Sequence, residues 1–236
     1  MKKLVILLAA LLLIISLGSL WQVSKSRTFQ FFGEIVPRVN TNQKVVALTF
    51  DDGPEPNATD ELLQILNQQN VHATFFVIGG ALEEHLDSGK KIVAAGHELG
   101  NHSYSHVRML LVSPSFVKLE IESTDKLIRD AGYQGEILFR PPYGKKLFTL
   151  PYYLSKHGRK SITWDLEPDS YPNIAADADK ITDYVLTNTR PGSIILLHVM
   201  YSSGKEGMKA VPKIIEGLKA KGYSFKTVSE LLAVSP

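Results

Sequence analysis

From Val45 onward, short β-branched or aromatic runs alternate with longer stretches of helical period, and this alternation constrains the fold more than any other feature. The runs are Val45–Phe50, Ala73–Ile78, His97–Asn101, Ile137–Arg140, Ser161–Leu166, Ser193–His198 and Ser224–Val228. Between them the period predicts helices over Thr59–Gln69, Leu82–Ala95, Pro114–Asp130, Leu147–His157, Asp177–Thr189 and Glu206–Ala220, with a last one from Ser229. Ser113 before Pro114 is an N-cap with proline in the first helical position, and Val117, Ile121, Thr124 and Ile128 fall on one face of the helix it opens. Gly96, Gly132 and Gly222 stand where helices would stop. Strand–helix units in strict alternation require a mostly parallel α/β sheet, either open or closed into a barrel. An open sheet normally carries a glycine-rich phosphate loop after an early strand. Here the first strand runs into Asp51-Asp52-Gly53-Pro54, which would repel phosphate. The expectation is a (β/α) barrel with about seven parallel strands.

Ahead of the alternating region lies a different kind of chain. Met1-Lys2-Lys3 is followed by an uncharged stretch from Leu4 to Trp21 whose only polar side chains are Ser16 and Ser19. A basic start and an apolar stretch of this length read as a membrane anchor or a signal peptide over residues 1–21. The anchor is the favoured reading, because Ser16-Leu17-Gly18 is a weak cleavage pattern. Lys2 and Lys3 would keep the N-terminus in the cytoplasm and place the rest of the chain outside, at the cell envelope or secreted. Residues 22–43 are polar and aperiodic and read as a linker, with a short ordered piece at Phe29–Val36; residues 44–236 form the one folded domain.

Composition removes several functions. The chain has no cysteine, which excludes disulfide scaffolds, thiolate metal sites and a cysteine nucleophile. A net charge of +2 gives no basic footprint for nucleic acid. A metal site, if there is one, must therefore be built from Asp, Glu and His.

Barrel enzymes carry their chemistry at the C-terminal ends of strands. In this chain the unusual residues stand there. Asp51 and Asp52 end the first run, His102 and His106 follow the third, Arg140 ends the fourth, Asp165 and Glu167 the fifth, and His198 the sixth. The other histidines, His72, His85, His97 and His157, fall at strand starts or in helices and read as structural or surface residues. One carboxylate of the pair with two imidazoles suits Zn²⁺, or Co²⁺, Ni²⁺ or Mn²⁺, and leaves a position open for water. The other carboxylate could then act as general base, His198 could protonate a departing amine, and Arg140 could hold the base ionised. The constellation points to metal-assisted hydrolysis of an amide or ester.

Thr49-Phe50-Asp51-Asp52-Gly53, His102-Ser103-Tyr104-Ser105-His106, Arg140-Pro141-Pro142-Tyr143 and Leu196-Leu197-His198 resemble the successive motifs of the polysaccharide deacetylases with a NodB homology domain, carbohydrate esterase family 4. The resemblance spans about residues 44–233. It implies a distorted barrel, one divalent metal on Asp52, His102 and His106, Asp51 as base tethered by Arg140, and His198 as acid. It further implies that the Tyr143 N–H stabilises the oxyanion and that Leu196 lines a groove for the acetyl methyl. The implied substrate is an acetylated glycan polymer or oligomer; from the apolar leader contact with the membrane is expected, and the chain is expected to be a monomer. One motif departs from the family. After Trp164 the chain reads Asp165-Leu166-Glu167-Pro168-Asp169-Ser170-Tyr171, so Glu167 stands where an acid-orienting Asp is usual and Tyr171 where a groove Trp is usual. Glu167 is the expected partner of His198, with Asp165 as rival, and Trp164 and Tyr171 are expected substrate walls. Two alternatives accompany this reading: a glycan-binding pseudoenzyme, and an esterase acting on acetylated xylan or small esters.

Overall fold

The computed structural model describes residues 1–201 and 204–234. Its strands are β1 (Ile35–Val36), β2 (Val45–Asp51), β3 (Thr74–Val77), β4 (Glu98–Asn101), β5 (Ser161–Ile162), β6 (Ile194–Leu197) and β7 (Ser224–Phe225). Its α-helices are α1 (Lys2–Ser24), α2 (Pro56–Gln68), α3 (Gly79–Glu84), α4 (Leu86–Ala94), α5 (Pro114–Asp130), α6 (Thr149–Lys156), α7 (Pro172–Ala175), α8 (Ala178–Asn188), α9 (Lys205–Ala220) and α10 (Val228–Leu232).

The strands pair in the order β4-β3-β2-β6, all parallel, with β7 beside the start of β2. Single parallel bridges close the ring. Phe139 links β4 at Asn101 to β5 at Ser161, and Leu166, after β5, returns to Ile195 of β6. The closed wall is thus regular on one side and held by isolated bridges on the other, which is the distortion of the barrel. The run Ile137–Arg140, expected as a strand, contributes only the Phe139 bridges.

Residue parity decides which side chains enter the barrel. In β2, Val46, Leu48 and Phe50 pack outward under the helices with Phe75 and Val77 of β3 and Ile195 and Leu197 of β6. Val45 and Ala47 face inward with Phe76, Trp164, Ile194 and Leu196. Continuing the inward set by twos leads from Ala47 through Thr49 to Asp51 on β2, and from Leu196 to His198 beyond β6. The same alternation that buries the core aims both functional side chains at one mouth. Gly100 on β4 serves this interior: a Cβ there would lie 2.5 Å from the Phe76 ring.

The outer helices begin as the sequence predicts. Ser113 Oγ accepts the Phe116 N–H at 3.2 Å and caps α5, whose Val117, Ile121, Thr124 and Ile128 are buried. The expected helix Leu82–Ala95 is instead two, α3 and α4, broken at His85.

Residues 22–43 differ from the expected linker. β1 pairs in parallel with β5, the Ser161 and Thr163 N–H groups donate to the Glu34 and Val36 carbonyls, and the Val39 N–H donates to Gly192. The segment satisfies the open edge of the short β5, so the chain enters the barrel before residue 44. α1 is a 23-residue apolar helix whose side chains are exposed along nearly its whole length.

Candidate active site

Asp51 and Asp52 are neighbours on a strand end, where consecutive side chains normally point to opposite faces. Asp52 adopts a left-handed conformation, φ 67°, and this turn brings both carboxylates into the mouth. Both line a cleft of about 570 Å³ together with His102, His106, Tyr143, Trp164, Glu167, Asp169, His198 and Tyr201.

His102 and His106 are held by a tight turn. Ser103 and His106 both have positive φ, at 63° and 55°. Such residues cost about 1–3 kcal/mol each and persist only where the surroundings over-determine them. Here the Ser103 N–H donates to Asn101 Oδ1 at 2.8 Å and the His106 N–H to Ser103 Oγ at 3.1 Å. Buried Glu120 of α5 accepts the Tyr104 and Ser105 N–H groups at 3.1 and 2.8 Å and the Ser105 hydroxyl at 2.8 Å. Asn101 is in turn fixed by Ile121 and Asp125.

The donor atoms of Asp52, His102 and His106 lie within 4.8 Å of one another. His106 Nε2 is 3.2 Å and His102 Nε2 3.8 Å from Asp52 Oδ1. That oxygen is buried and has no hydrogen-bond partner, a cost that a cation would remove. His102 Nδ1 is 2.8 Å from the Arg140 carbonyl oxygen, which can only accept a hydrogen bond, so Nδ1 carries the proton and donates, leaving the Nε2 lone pair toward the carboxylates. Burial, with the neighbouring His102, holds the His106 pKa below the usual imidazole value despite Asp52 and Asp51, which favours the neutral form a metal needs. Two imidazoles and a carboxylate around an orphaned oxygen fit a divalent cation of the zinc type.

Asp51 is the buried partner of a fully buried arginine. Arg140 Nη1 donates to Asp51 Oδ1 at 2.5 Å and to Thr49 Oγ1 at 2.9 Å, and Nη2 to the Thr163 carbonyl at 3.2 Å. Its guanidinium lies 4.0 Å from the Phe76 ring centre and 5.6 Å from that of Trp164. Burial pulls the guanidinium pKa down and Asp51 pulls it back up. Asp51 Oδ2 lies 3.6 Å from His102 Nε2.

Across the cleft stands His198. Its expected partner Glu167 is engaged elsewhere, accepting the Trp164 indole N–H at 2.9 Å. Asp165 is also occupied, by the Ser193 hydroxyl and the Ile194 N–H, both at 2.9 Å. The residue at His198 is Asp169, whose Oδ2 accepts the His198 backbone N–H at 2.7 Å and lies 3.3 Å from Nδ1. The short helical turn Pro168–Ser170 carries Asp169 back to the end of β6, a fold-back that strand spacing does not reveal. Burial works against the His198 imidazolium, but the Asp169 hydrogen bond and the charges of Asp51, Asp52 and Asp169 outweigh it and raise the pKa to about 9.

The expected substrate walls are divided. Trp164 and Tyr143 line the cleft. Tyr143 sits at φ 56° on the Pro142–Gly144 turn, its ring 4.7 Å from His106 and 4.5 Å from the Arg108 guanidinium carbon. Leu196 does not line the cleft, because it points into the barrel and is buried beneath with Trp164. Tyr171 lines an adjoining pocket with Lys25, Arg27 and Tyr184, next to the cleft. Of the remaining histidines, His97 is structural: its Nδ1 accepts the Ala73 N–H at 3.2 Å, and burial, with His72, lowers its pKa to about 4. Asp169, Glu120 and Tyr201 are absent from the sequence expectations. Asp169 alone carried a signal, as a third carboxylate after Trp164.

Residues 38–162 match the family model described as polysaccharide deacetylase. The chain is 36% identical over 196 residues to a peptidoglycan-N-acetylglucosamine deacetylase of Bacillus cereus, covering 82% of this chain and 70% of that protein. Among solved structures, a peptidoglycan N-acetylglucosamine deacetylase superposes with a TM-score of 0.78 at 33% identity, covering 84% of this chain and 92% of that one. A CE4 family pseudoenzyme from Bacillus anthracis superposes with a TM-score of 0.75 at 29% identity, covering 84% of this chain and 68% of that one.

Proposed function

Because the chain belongs to the polysaccharide deacetylase family, we propose that it hydrolyses the acetamido group of N-acetylated sugar units in a polysaccharide or oligosaccharide and releases acetate. The observation that carries this reading is one cleft with two distinct halves. On one side the orphaned Asp52 oxygen faces two imidazoles beside an arginine-clamped Asp51; on the other stands His198, held by Asp169.

Asp52, His102 and His106 are the residues that would hold a divalent ion, zinc by its donor set, and such an ion polarises a carbonyl and lowers the pKa of water. Asp51, kept in place by Arg140, takes the proton of the attacking water. His198, whose pKa the Asp169 hydrogen bond raises, gives its proton to the departing amine nitrogen. The Tyr143 N–H, on its left-handed turn, donates to the oxyanion. Asp169 keeps His198 charged and oriented, replacing Glu167 in that role. Trp164 and Tyr143 provide aromatic walls for a sugar ring. The apolar α1 behind Lys2 and Lys3 supports a location of this chemistry outside the cytoplasmic membrane, on an envelope glycan of the kind the Bacillus cereus relative is named for.

The test is an acetate-release panel over peptidoglycan, chitin oligomers, poly-N-acetylglucosamine and acetylxylan. Release from amino-sugar polymers should stop in chelator and return with Zn²⁺ or Co²⁺. Glycan binding without acetate release under any metal would select the pseudoenzyme reading, and release from acetylxylan alone the esterase reading.

A further inference from the structure

Four of the ten phenylalanines, Phe29, Phe31, Phe32 and Phe148, remain exposed, and all four lie in one patch. Phe31 stacks on Phe148 at 4.9 Å, Phe29 meets Phe31 at 5.7 Å, and Phe32 meets Tyr152, also exposed, at 5.4 Å. A contiguous aromatic surface of this kind marks an interaction site.

Its position identifies the partner. α1 has 23 residues, about 34 Å at 1.5 Å per residue, slightly more than the roughly 30 Å hydrocarbon core of a bilayer. With Lys2 and Lys3 at one surface, Trp21 in the last turn falls at the other. Trp21 touches the barrel there: Lys145 Nζ lies 4.3 Å from its ring. The chain past it is tied to the same place, since the Lys146 N–H donates to the Ser24 carbonyl at 3.1 Å and Lys146 Nζ to Ser26. Phe148 is three residues beyond Lys145, at most about 11 Å along the chain. The patch is therefore continuous with the helix end, within reach of the headgroup layer. Aromatic rings, with Lys145 and Lys156 beside them, suit that layer.

We propose that the bilayer surface covers this patch, so that the barrel is seated on the membrane through Phe29, Phe31, Phe32 and Phe148 in addition to being tethered by α1. Tyr143, on the lip of the catalytic cleft, is two residues from Lys145, at most about 7 Å along the chain. The seat holds that lip near the headgroups, and the glycan reached is the glycan at the membrane surface. The inference rests on α1 being retained as an anchor.

The experiment uses the full chain in phosphatidylcholine nanodiscs whose lipids are brominated either near the headgroup or near the acyl end. Trp21 and Trp164 are the two tryptophans, and Trp164 is buried in the barrel. Quenching of Trp21 in the wild-type chain reports that α1 is inserted; without it the anchor reading falls and the seat with it. In a Trp21→Phe background, Phe31→Trp should give blue-shifted emission that loses more intensity to shallow than to deep bromines. Phe29→Trp is a second reporter should the first disturb folding, and Leu119→Trp, exposed on α5, should be unquenched. Water-like, unquenched emission from position 31 or 29 would overturn the proposal. Blue-shifted emission that no bromolipid quenches would also overturn it, in favour of a second copy of the chain over the patch. Equal quenching at position 119 would remove the patch as a specific seat.

Discussion

The two walls of the cleft are built differently. The wall carrying Asp51, Asp52, His102 and His106 is locked. Arg140 is fully buried with three of its donor contacts formed, Glu120 holds the histidine turn with three hydrogen bonds, and the left-handed residues Asp52, Ser103 and His106 are tolerated inside that frame. The facing wall hangs on fewer bonds. His198 and Asp169 are both partly exposed, their side chains are 3.3 Å apart, and the segment that carries Asp169 has one β-bridge to the sheet, Leu166–Ile195, with side-chain hydrogen bonds from Asp165 and Asp169 on either side of it. The difference matches the work of each wall. A metal site and a buried carboxylate–arginine pair need fixed geometry, because an unpaired charge there is costly. The looser wall carries the proposed proton donor, and its segment is where this chain departs from the motif it otherwise resembles.

If the locked wall carries the base, the largest effect belongs to Asp51. Asp51→Asn should lower acetate release by about 10³-fold, within the range of a lost general base, while leaving the bound metal. Metal content measured on the same preparation separates the two. Near-normal turnover would move the base elsewhere.

Arg140→Met tests the lock itself. Removing one partner of a buried ion pair should cost about 3–5 kcal/mol in a denaturant titration performed in chelator. In the Asp51→Asn background the same change should cost less, since the charge left uncompensated is gone. Equal costs in both backgrounds would make Arg140 a packing residue over Phe76.

Glu120 reaches the metal ligands only through backbone. Glu120→Gln removes part of its acceptor capacity and should weaken zinc binding by about tenfold, the low end for a residue that orients ligands. Competition against a chromophoric chelator measures it. Unchanged affinity would show that the positive-φ turn is held by Ser103 and Asn101 alone.

The same contrast governs what could be read from the sequence. The locked wall is written in contiguous words. Asp51-Asp52 closes β2, His102…His106 follows β4 and Arg140 follows the Phe139 bridge, all at one end of the barrel, so their meeting follows from the alternation of elements, although parity aims Asp51 alone and left-handed turns aim Asp52 and the histidines. The fold is legible for the same reason, except where strands shrink to bridges at Phe139 and Leu166, since a single bridge leaves no period. Of residues 22–43 only the piece Phe29–Val36 read as ordered; its place in the barrel was hidden because β1 is two residues long and owes its structure to the edge of β5. On the facing wall the partner of His198 depends on how a proline-led turn folds back. The resemblance to the family motif favoured Glu167, but the turn Pro168–Ser170 folds back and delivers Asp169. Glu120 was unreadable for another reason: a buried glutamate on a helix has no local signal until its backbone partners are known.

The pairing on the looser wall makes the most discriminating prediction, though the smallest in rate. Folded His198 has its pKa raised to about 9, and the Asp169 hydrogen bond is the first of the influences that raise it against burial. As general acid, His198 must be protonated, so activity should decline as pH rises through its pKa, giving the basic limb of the profile. Asp169→Asn keeps an oxygen that can accept from the imidazolium but takes away the negative charge that strengthens that bond. The His198 pKa then falls, and the basic limb should move to lower pH, with kcat near neutrality reduced by about tenfold, less than the loss of a proton-transfer group itself. Glu167→Gln keeps an acceptor for the Trp164 indole and should leave the limb in place, as should Asp165→Ala, whose carboxylate bonds Ser193 and Ile194 instead. A basic limb that moves with Glu167→Gln and stays with Asp169→Asn would return the orienting role to Glu167. The looser wall would then have rearranged around a bound substrate, which the 3.3 Å separation and partial exposure of the His198–Asp169 pair leave room for.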